Sequence, residues 1–157
     1  MPHPKVGNIA PNFILKNQDG KDINLKEFRN KKNIILYFYP RASTPGCTIQ
    51  ACGLRDYKKF FDKKNFITLG VSPDPIGRLG GFIAKQNLNF DLLSDEDHSI
   101  ANKYGVWGPK KFMGKEFEGI IRTTFIIGID GRLRHVLENF KTKTHHEDVQ
   151  NWIIENL

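Results

Sequence analysis

The sequence predicts an α/β sandwich: a central, partly parallel β-sheet flanked by helices. Three observations carry that expectation. Asn33 to Tyr39 and Phe66 to Val71 are apolar runs without alternation, as expected of strands covered on both faces. Helical segments lie between the strands, and strands alternating with helices build parallel pairs. Arg122 to Ile129 is a β-branched run that Asp130-Gly131 turns into Arg132 to Leu137, whose period-2 pattern suits an antiparallel partner.

Each element has a local reason. Residues 1–12 are an irregular lead-in rich in Pro and Gly. Phe13 to Lys16 and Asp22 to Leu25 are short strands joined at Asp19-Gly20, which makes an N-terminal β-hairpin. Residues 25–30 form one helical turn. Pro40 stops the first buried strand. Thr44 is a good N-cap and Pro45 fits the first helical position, so a helix runs from there to about Asp62. Its Leu54, Tyr57 and Phe61 stand at i, i+3 and i+7 and face the sheet.

After Phe66 to Val71, Ser72-Pro73-Asp74-Pro75 closes the strand. A helix over Ile76 to Gln86 follows, weakened by Gly80-Gly81. Leu92-Leu93 is a short strand. Ser94 or Asp95 then caps a helix to about Lys103, with three acids in its first turn. Tyr104 to Gly119, with four Gly and one Pro, reads mainly as a loop. The last helix starts near Thr144, where Thr144 and Glu147 have capping-box spacing, and it presents Val149, Trp152 and Ile153 to the core. The order is β-hairpin, β, α, β, α, β, α, β-hairpin, α. No repeat, linker or low-complexity segment divides residues 1–157, so one domain is expected.

Composition narrows the function. The net charge of +7 comes from 24 Lys+Arg against 17 Asp+Glu, but the basic residues are scattered and cluster only in pairs, which argues against nucleic acid. No apolar run reaches the length of a membrane span, and the N-terminus has no apolar signal core. A cytoplasmic protein is expected, in a compartment that keeps thiols reduced. There, two cysteines are more often catalytic or redox-active than structural.

Those two cysteines, Cys47 and Cys52, lie in Pro-Arg-Ala-Ser-Thr-Pro-Gly-Cys-Thr-Ile-Gln-Ala-Cys, where a strand gives way to a helix. A thiol reacts as the thiolate. Cys47 falls in the first helical turn, where unpaired N–H groups and the helix dipole favour negative charge. Cys52 is five residues on, a rise of about 7.5 Å and a rotation of about 140° in regular helix. A disulfide needs Cα atoms about 4.4–6.8 Å apart. The two thiols therefore bond only if the helix locally unwinds. Gly53 has two readings: a weak point that eases opening, or close packing against a neighbouring strand. Zinc is disfavoured, because four residues separate the cysteines and the histidines are scattered. His145-His146 reads as an exposed pair at a helix start.

Pro40, Thr44 and Cys47 fit the Pro-x-x-x-Thr-x-x-Cys motif, and the chain resembles the peroxiredoxins. The wider stretch YFYPRASTPGCTIQACGLRD resembles the bacterioferritin comigratory protein, or peroxiredoxin Q, subfamily. GNIAPNFILKNQDG, LLSDEDHSIANKYGVWG, GIIRTTFIIGIDG and NWIIENL extend the likeness over nearly the whole chain. The resemblance implies a thioredoxin-like fold and a thiol peroxidase acting on hydrogen peroxide and organic hydroperoxides. It implies that Cys47 is the peroxidatic cysteine and Cys52 the resolving one, joined in an intramolecular disulfide that thioredoxin or a similar reductant reopens. Thr44 fits the hydroxyl that meets thiolate and peroxide, Pro40 the shield of the thiolate, and Arg122 the arginine that holds the thiolate and polarises the peroxide. Gln50, one turn after Cys47, is a further support. Members of the subfamily vary in where, or whether, a resolving cysteine occurs. No cofactor or metal is expected, nor any membrane or nucleic-acid partner, and the state expected is a monomer. The alternative from another class is a redox-sensing or holdase module with a reactive thiol. Thr44 and Arg122 around Cys47 separate the two, since only a peroxidase requires them.

Overall fold

A computed structural model describes residues 3–157; the first two residues of the expected lead-in lie outside that range. The first hairpin pairs β1 (Ile14–Asn17) with β2 (Asp22–Asn24), one residue later in its first strand than the sequence suggested. A 3-10 turn, Leu25–Phe28, follows as expected. Next come β3 (Asn33–Phe38), α1 (Pro45–Asp56), α2 (Lys58–Lys63), β4 (Phe66–Ser72), α3 (Ile76–Gln86), β5 (Asp91–Ser94) and α4 (Ser99–Lys103). The chain ends with β6 (Trp107–Phe112), β7 (Lys115–Ile120), β8 (Thr123–Ile127), β9 (Leu133–Leu137) and α5 (His145–Asn156).

Seven strands form one mixed sheet in the order β2-β1-β5-β4-β3-β8-β9. β3, β4 and β5 run parallel, and β8 lies antiparallel to β3. The unbroken apolar run of β3 serves both faces. Ile34, Leu36 and Phe38 enter one core with Tyr104, Phe125 and Ile100 of α4. Ile35, Tyr37 and Tyr39 enter the other, with Leu54 of α1, Phe82 of α3, and Val149 and Ile153 of α5. Cys47 belongs to this second core.

Four expectations are corrected. The helix expected from Thr44 to about Asp62 breaks at Tyr57, whose ring stands edge-to-face on His146 with centroids 4.5 Å apart. The helix expected after Ser94 or Asp95 begins only at Ser99, so its acids precede it. Asp95 still caps it from outside, accepting from the backbone N–H of Ile100 (3.2 Å) and Ala101 (2.9 Å). The expected loop over Tyr104 to Gly119 contains an antiparallel ribbon, β6–β7, reversing at Met113 and Gly114 with φ of 51° and 78°. Two successive positive φ values match the tight turn that suits a twisted ribbon, and Gly114 supplies one cheaply. Finally, Thr144 is the N-cap of α5 but makes no side-chain cap bond, so the capping box with Glu147 does not form.

Candidate active site

Chain geometry alone brings the site together. β3 ends at Phe38, and the chain passes through half-buried Pro40 into the loop before α1. In the antiparallel pairing of β3 with β8, Phe38 faces Thr123. The next residues outward are Tyr39 and Arg122. Register thus sets Arg122 beside the start of α1, although 75 residues separate it from Cys47 in the sequence.

The loop itself is tightly tied. Asp74, buried after β4, accepts from the backbone N–H of Ala42 (2.7 Å) and from the Ser72 hydroxyl (2.8 Å). Ser43 sits in the left-handed region with φ of 67°, a conformation that L residues adopt at a cost. The Thr44 hydroxyl donates to the Arg41 carbonyl at 2.8 Å. Thr44 is therefore the N-cap by position only, and its hydroxyl proton is turned back into the loop. Its oxygen keeps lone pairs that can accept a hydrogen bond. The next turn closes by Thr48 Oγ1 donating to the Thr44 carbonyl at 2.8 Å.

Cys47 lies in the first turn of α1, as expected, but is buried, with 1% of its surface exposed. Arg122 touches the residues on either side of it. Its Nη1 donates to Gln50 Oε1 at 3.0 Å, one turn beyond Cys47. On the other side the guanidinium packs against Gly46, where an added Cβ would stand 3.0 Å from Nη2. A side chain at this position would push the guanidinium back from the helix start by a few tenths of an ångström. The neighbouring phenols stay neutral: burial, foremost, pushes Tyr37 and Tyr39 well above their usual range, and negative charge on Cys47 pushes the same way.

Cys52 lies two residues past Gln50 in the same unbroken helix, and both thiols are free. The Cys52 thiol donates to Gln86 Oε1 at 3.6 Å. Arg55 Nη1, donating to the Gln86 carbonyl at 2.6 Å, fastens this part of α1 to the end of α3. Gly53 is closely packed, against the ring of His146 on α5 rather than against a strand; an added Cβ would lie 2.9 Å from His146 Cγ.

The histidine pair is the clearest correction. His145 is fully buried, and its Nε2 bonds Thr124 Oγ1 of β8 at 2.7 Å. His146 is largely covered by α1. Burial, then the charges of His146 and Arg122, push His145 down to about 3, so it is neutral. Sequence reading also missed Asp74 and Lys110. Asp74 had only a turn signal around it. Lys110, in the stretch read as loop, lies half-buried on β6, and its Nζ donates to the Ile120 carbonyl at 2.7 Å.

Comparison with known proteins finds the AhpC/TSA family pattern over residues 6–136. Peroxiredoxin Bcp of Escherichia coli K12 is 49% identical over 152 residues, which span 97% of each chain. A putative peroxiredoxin bcp of Haemophilus influenzae is 50% identical over 148 residues, 94% of this chain and 95% of that one. Among solved structures, a cysteine-to-serine variant of Xylella fastidiosa PrxQ superposes with a TM-score of 0.91 at 28% identity, over 99% of this chain and 98% of that one. The bacterioferritin comigratory protein of Xanthomonas campestris, studied for alkyl peroxide reduction, superposes with a TM-score of 0.85 at 29% identity, over 91% and 90% of the two chains.

Proposed function

The chain belongs to the AhpC/TSA family as a Bcp-type peroxiredoxin with a thioredoxin-like fold, a thiol peroxidase that reduces alkyl hydroperoxides, and from that premise we propose how its residues divide the work. The Cys47 thiolate attacks the terminal oxygen of a hydroperoxide. The O–O bond breaks, Cys47 becomes a sulfenic acid, and the departing alkoxide takes a proton to leave as alcohol. Arg122 holds the thiolate and faces the negative charge that grows on the departing oxygen, where a fixed donor lowers the barrier most. Thr44 offers its oxygen as acceptor to the peroxide O–H, which orients the substrate. Pro40 shields the thiolate from water. The observation that carries this reading is the Arg122 guanidinium lying between Gly46 and Gln50, astride the turn that holds Cys47.

Cys52 resolves the intermediate. Its thiol condenses with the sulfenic acid, releasing water and leaving a Cys47–Cys52 disulfide, which a dithiol reductant reopens by exchange. Five residues of regular helix put the two Cα atoms about 8.6 Å apart, beyond the reach of a disulfide. The first turns of α1 must therefore open in each cycle. Opening releases the Gln50–Arg122 bond and the hydrogen bond from Cys52 to Gln86. In this reading the enzyme works in the cytoplasm as a monomer of one domain. Thioredoxin or a similar protein recycles it, and hydrogen peroxide is a substrate beside organic hydroperoxides.

The test is peroxide consumption coupled to a thioredoxin system, on wild type, Cys47→Ser and Cys52→Ser. Cys47→Ser should abolish turnover. Cys52→Ser should still form one equivalent of sulfenic acid but cycle poorly with thioredoxin. Full activity in Cys47→Ser sinks the assignment of Cys47. Normal cycling in Cys52→Ser sinks only the intramolecular disulfide.

A further inference from the structure

Helix α3 carries a polar residue on its inward stripe. Leu79, Phe82, Ile83 and Gln86 stand at i, i+3, i+4 and i+7, the spacing of one helix face. Leu79 and Phe82 are buried, and Ile83 packs against the same core, which also holds Ala51 and Leu54 of α1. Gln86 ends the stripe, half-buried, as the last residue of α3. A leucine there would simply extend the core; the glutamine instead brings two oxygens to α1. Its carbonyl is one of the acceptors that a helix end leaves without an intrahelical partner, and Arg55 Nη1 donates to it at 2.6 Å. Its side-chain Oε1 accepts from the Cys52 thiol at 3.6 Å. Cys52 and Arg55 are three residues apart, neighbours on one face of α1. Arg55 is itself fixed: its Nε pairs with Asp56 at 2.9 Å, and its carbonyl accepts from Asn89 Nδ2 at 3.1 Å. The Gln86 oxygen is thus presented to Cys52 from an anchored backbone.

The chemistry gives this contact a direction. A thiol donates only while it keeps its proton. In the resolving step the same sulfur must be free: the Cys47–Cys52 S–S bond forms, the Cys47 S–O bond breaks, and the thiol proton leaves with the hydroxyl as water. Cys52 cannot stay on Gln86 and attack at the same time. A bond made in the closed helix and absent from the open one weights the equilibrium towards the closed form. An S–H donor makes a weak bond, which suits a hold that must release in every cycle.

We propose that Gln86 is a positioning residue for the resolving step: its side-chain oxygen holds the Cys52 thiol against the end of α3, and release of that contact sets how fast the sulfenic acid at Cys47 becomes a disulfide. This rests on Cys52 being the resolving residue, and the experiment keeps the two ideas apart.

Reduced wild type, Gln86→Met and Gln86→Glu are mixed with one equivalent of tert-butyl hydroperoxide and quenched in acid at timed intervals, with circular dichroism to certify folding. Loss of peroxide reports the first step, and the Cys47–Cys52 disulfide counted by mass spectrometry reports the second. Methionine keeps the length of glutamine without its oxygen, whereas glutamate keeps an oxygen acceptor. The ratio of the second rate to the first should rise about threefold in Gln86→Met, the order expected for one weak hydrogen bond confined to the closed helix. It should stay at or below the wild-type ratio in Gln86→Glu. In a Cys47→Ser background, alkylation of Cys52 by iodoacetamide should quicken by the same factor in Gln86→Met and not in Gln86→Glu. An unchanged ratio in folded Gln86→Met overturns the proposal, as does Gln86→Glu behaving like Gln86→Met. Quicker Cys52 alkylation in Gln86→Met, with no Cys47–Cys52 disulfide formed by the wild type, upholds the hold of Gln86 on Cys52 and removes the resolving role.

Discussion

His145 makes acid stability a quantitative test of the packing behind the site. In an unfolded chain a histidine takes its proton near pH 6.5; in the fold His145 takes one only at about pH 3, because burial and the charges of His146 and Arg122 oppose it. Between those limits the unfolded state binds more protons than the folded state. The stability contributed by keeping His145 neutral is therefore fully present above about pH 6.5 and is lost as pH falls through the window towards 3. At pH 5 the unfolded histidine is almost wholly protonated and the folded one almost wholly neutral. Integrating the linkage between pH 7 and pH 5 gives a loss of about 2 kcal/mol from this group alone. The assay is urea unfolding of wild type and His145→Gln at both pH values. Glutamine keeps a polar atom for Thr124 but has no proton to gain. Other titrating groups contribute equally to both proteins and cancel in the difference of differences. Wild type should lose about 2 kcal/mol more than His145→Gln between pH 7 and pH 5. Equal losses would falsify the claim that His145 is held neutral by burial.

Two further outcomes follow from the loop and the helix start. Gly46→Ala places a methyl 3.0 Å from Arg122 Nη2, and the flexible guanidinium will swing away rather than break the fold. Thermal stability should change little, while the rate with peroxide falls by about 10–100-fold, as displaced catalytic groups commonly cost; a wild-type rate would show that Arg122 is not needed where it lies. Asp74→Ala removes the acceptor of the buried Ala42 N–H and the Ser72 hydroxyl. It should cost about 1–3 kcal/mol in denaturant unfolding and lower peroxidase activity by loosening the loop before Cys47. Unaltered unfolding would mean that water replaces the carboxylate.

Much of the scaffold was legible because it is written locally. β3 declares itself by an apolar run that serves two cores, and α1 by its Thr44-Pro45 start and the inward Leu54. The ribbon β6–β7 was not legible. It is largely exposed, so no apolar alternation marks it, and Gly and Pro within it imitate a loop. The start of α4 was misplaced because Asp95 caps it from five and six residues away rather than from the adjoining position. The histidines were misread because a polar pair at a helix start looks solvated until another helix covers it.

Short-range rules thus determined the strands and helices, the two thiols in one helical turn-and-a-half, and the need for that helix to open before they bond. The match to a known motif supplied the expectation that Arg122 attends Cys47. Only the tertiary structure decided where Arg122 lies: the antiparallel register of β8 on β3 carries it to the start of α1, and Gly46 leaves it room. The same long-range packing brings Asp74 under the loop and His145 against Thr124. Strand and helix formation depends on neighbours a few residues apart, which a sequence displays. Burial, register and the field at a thiol depend on residues tens of positions away, and these acquire a place only when the sheet is assembled.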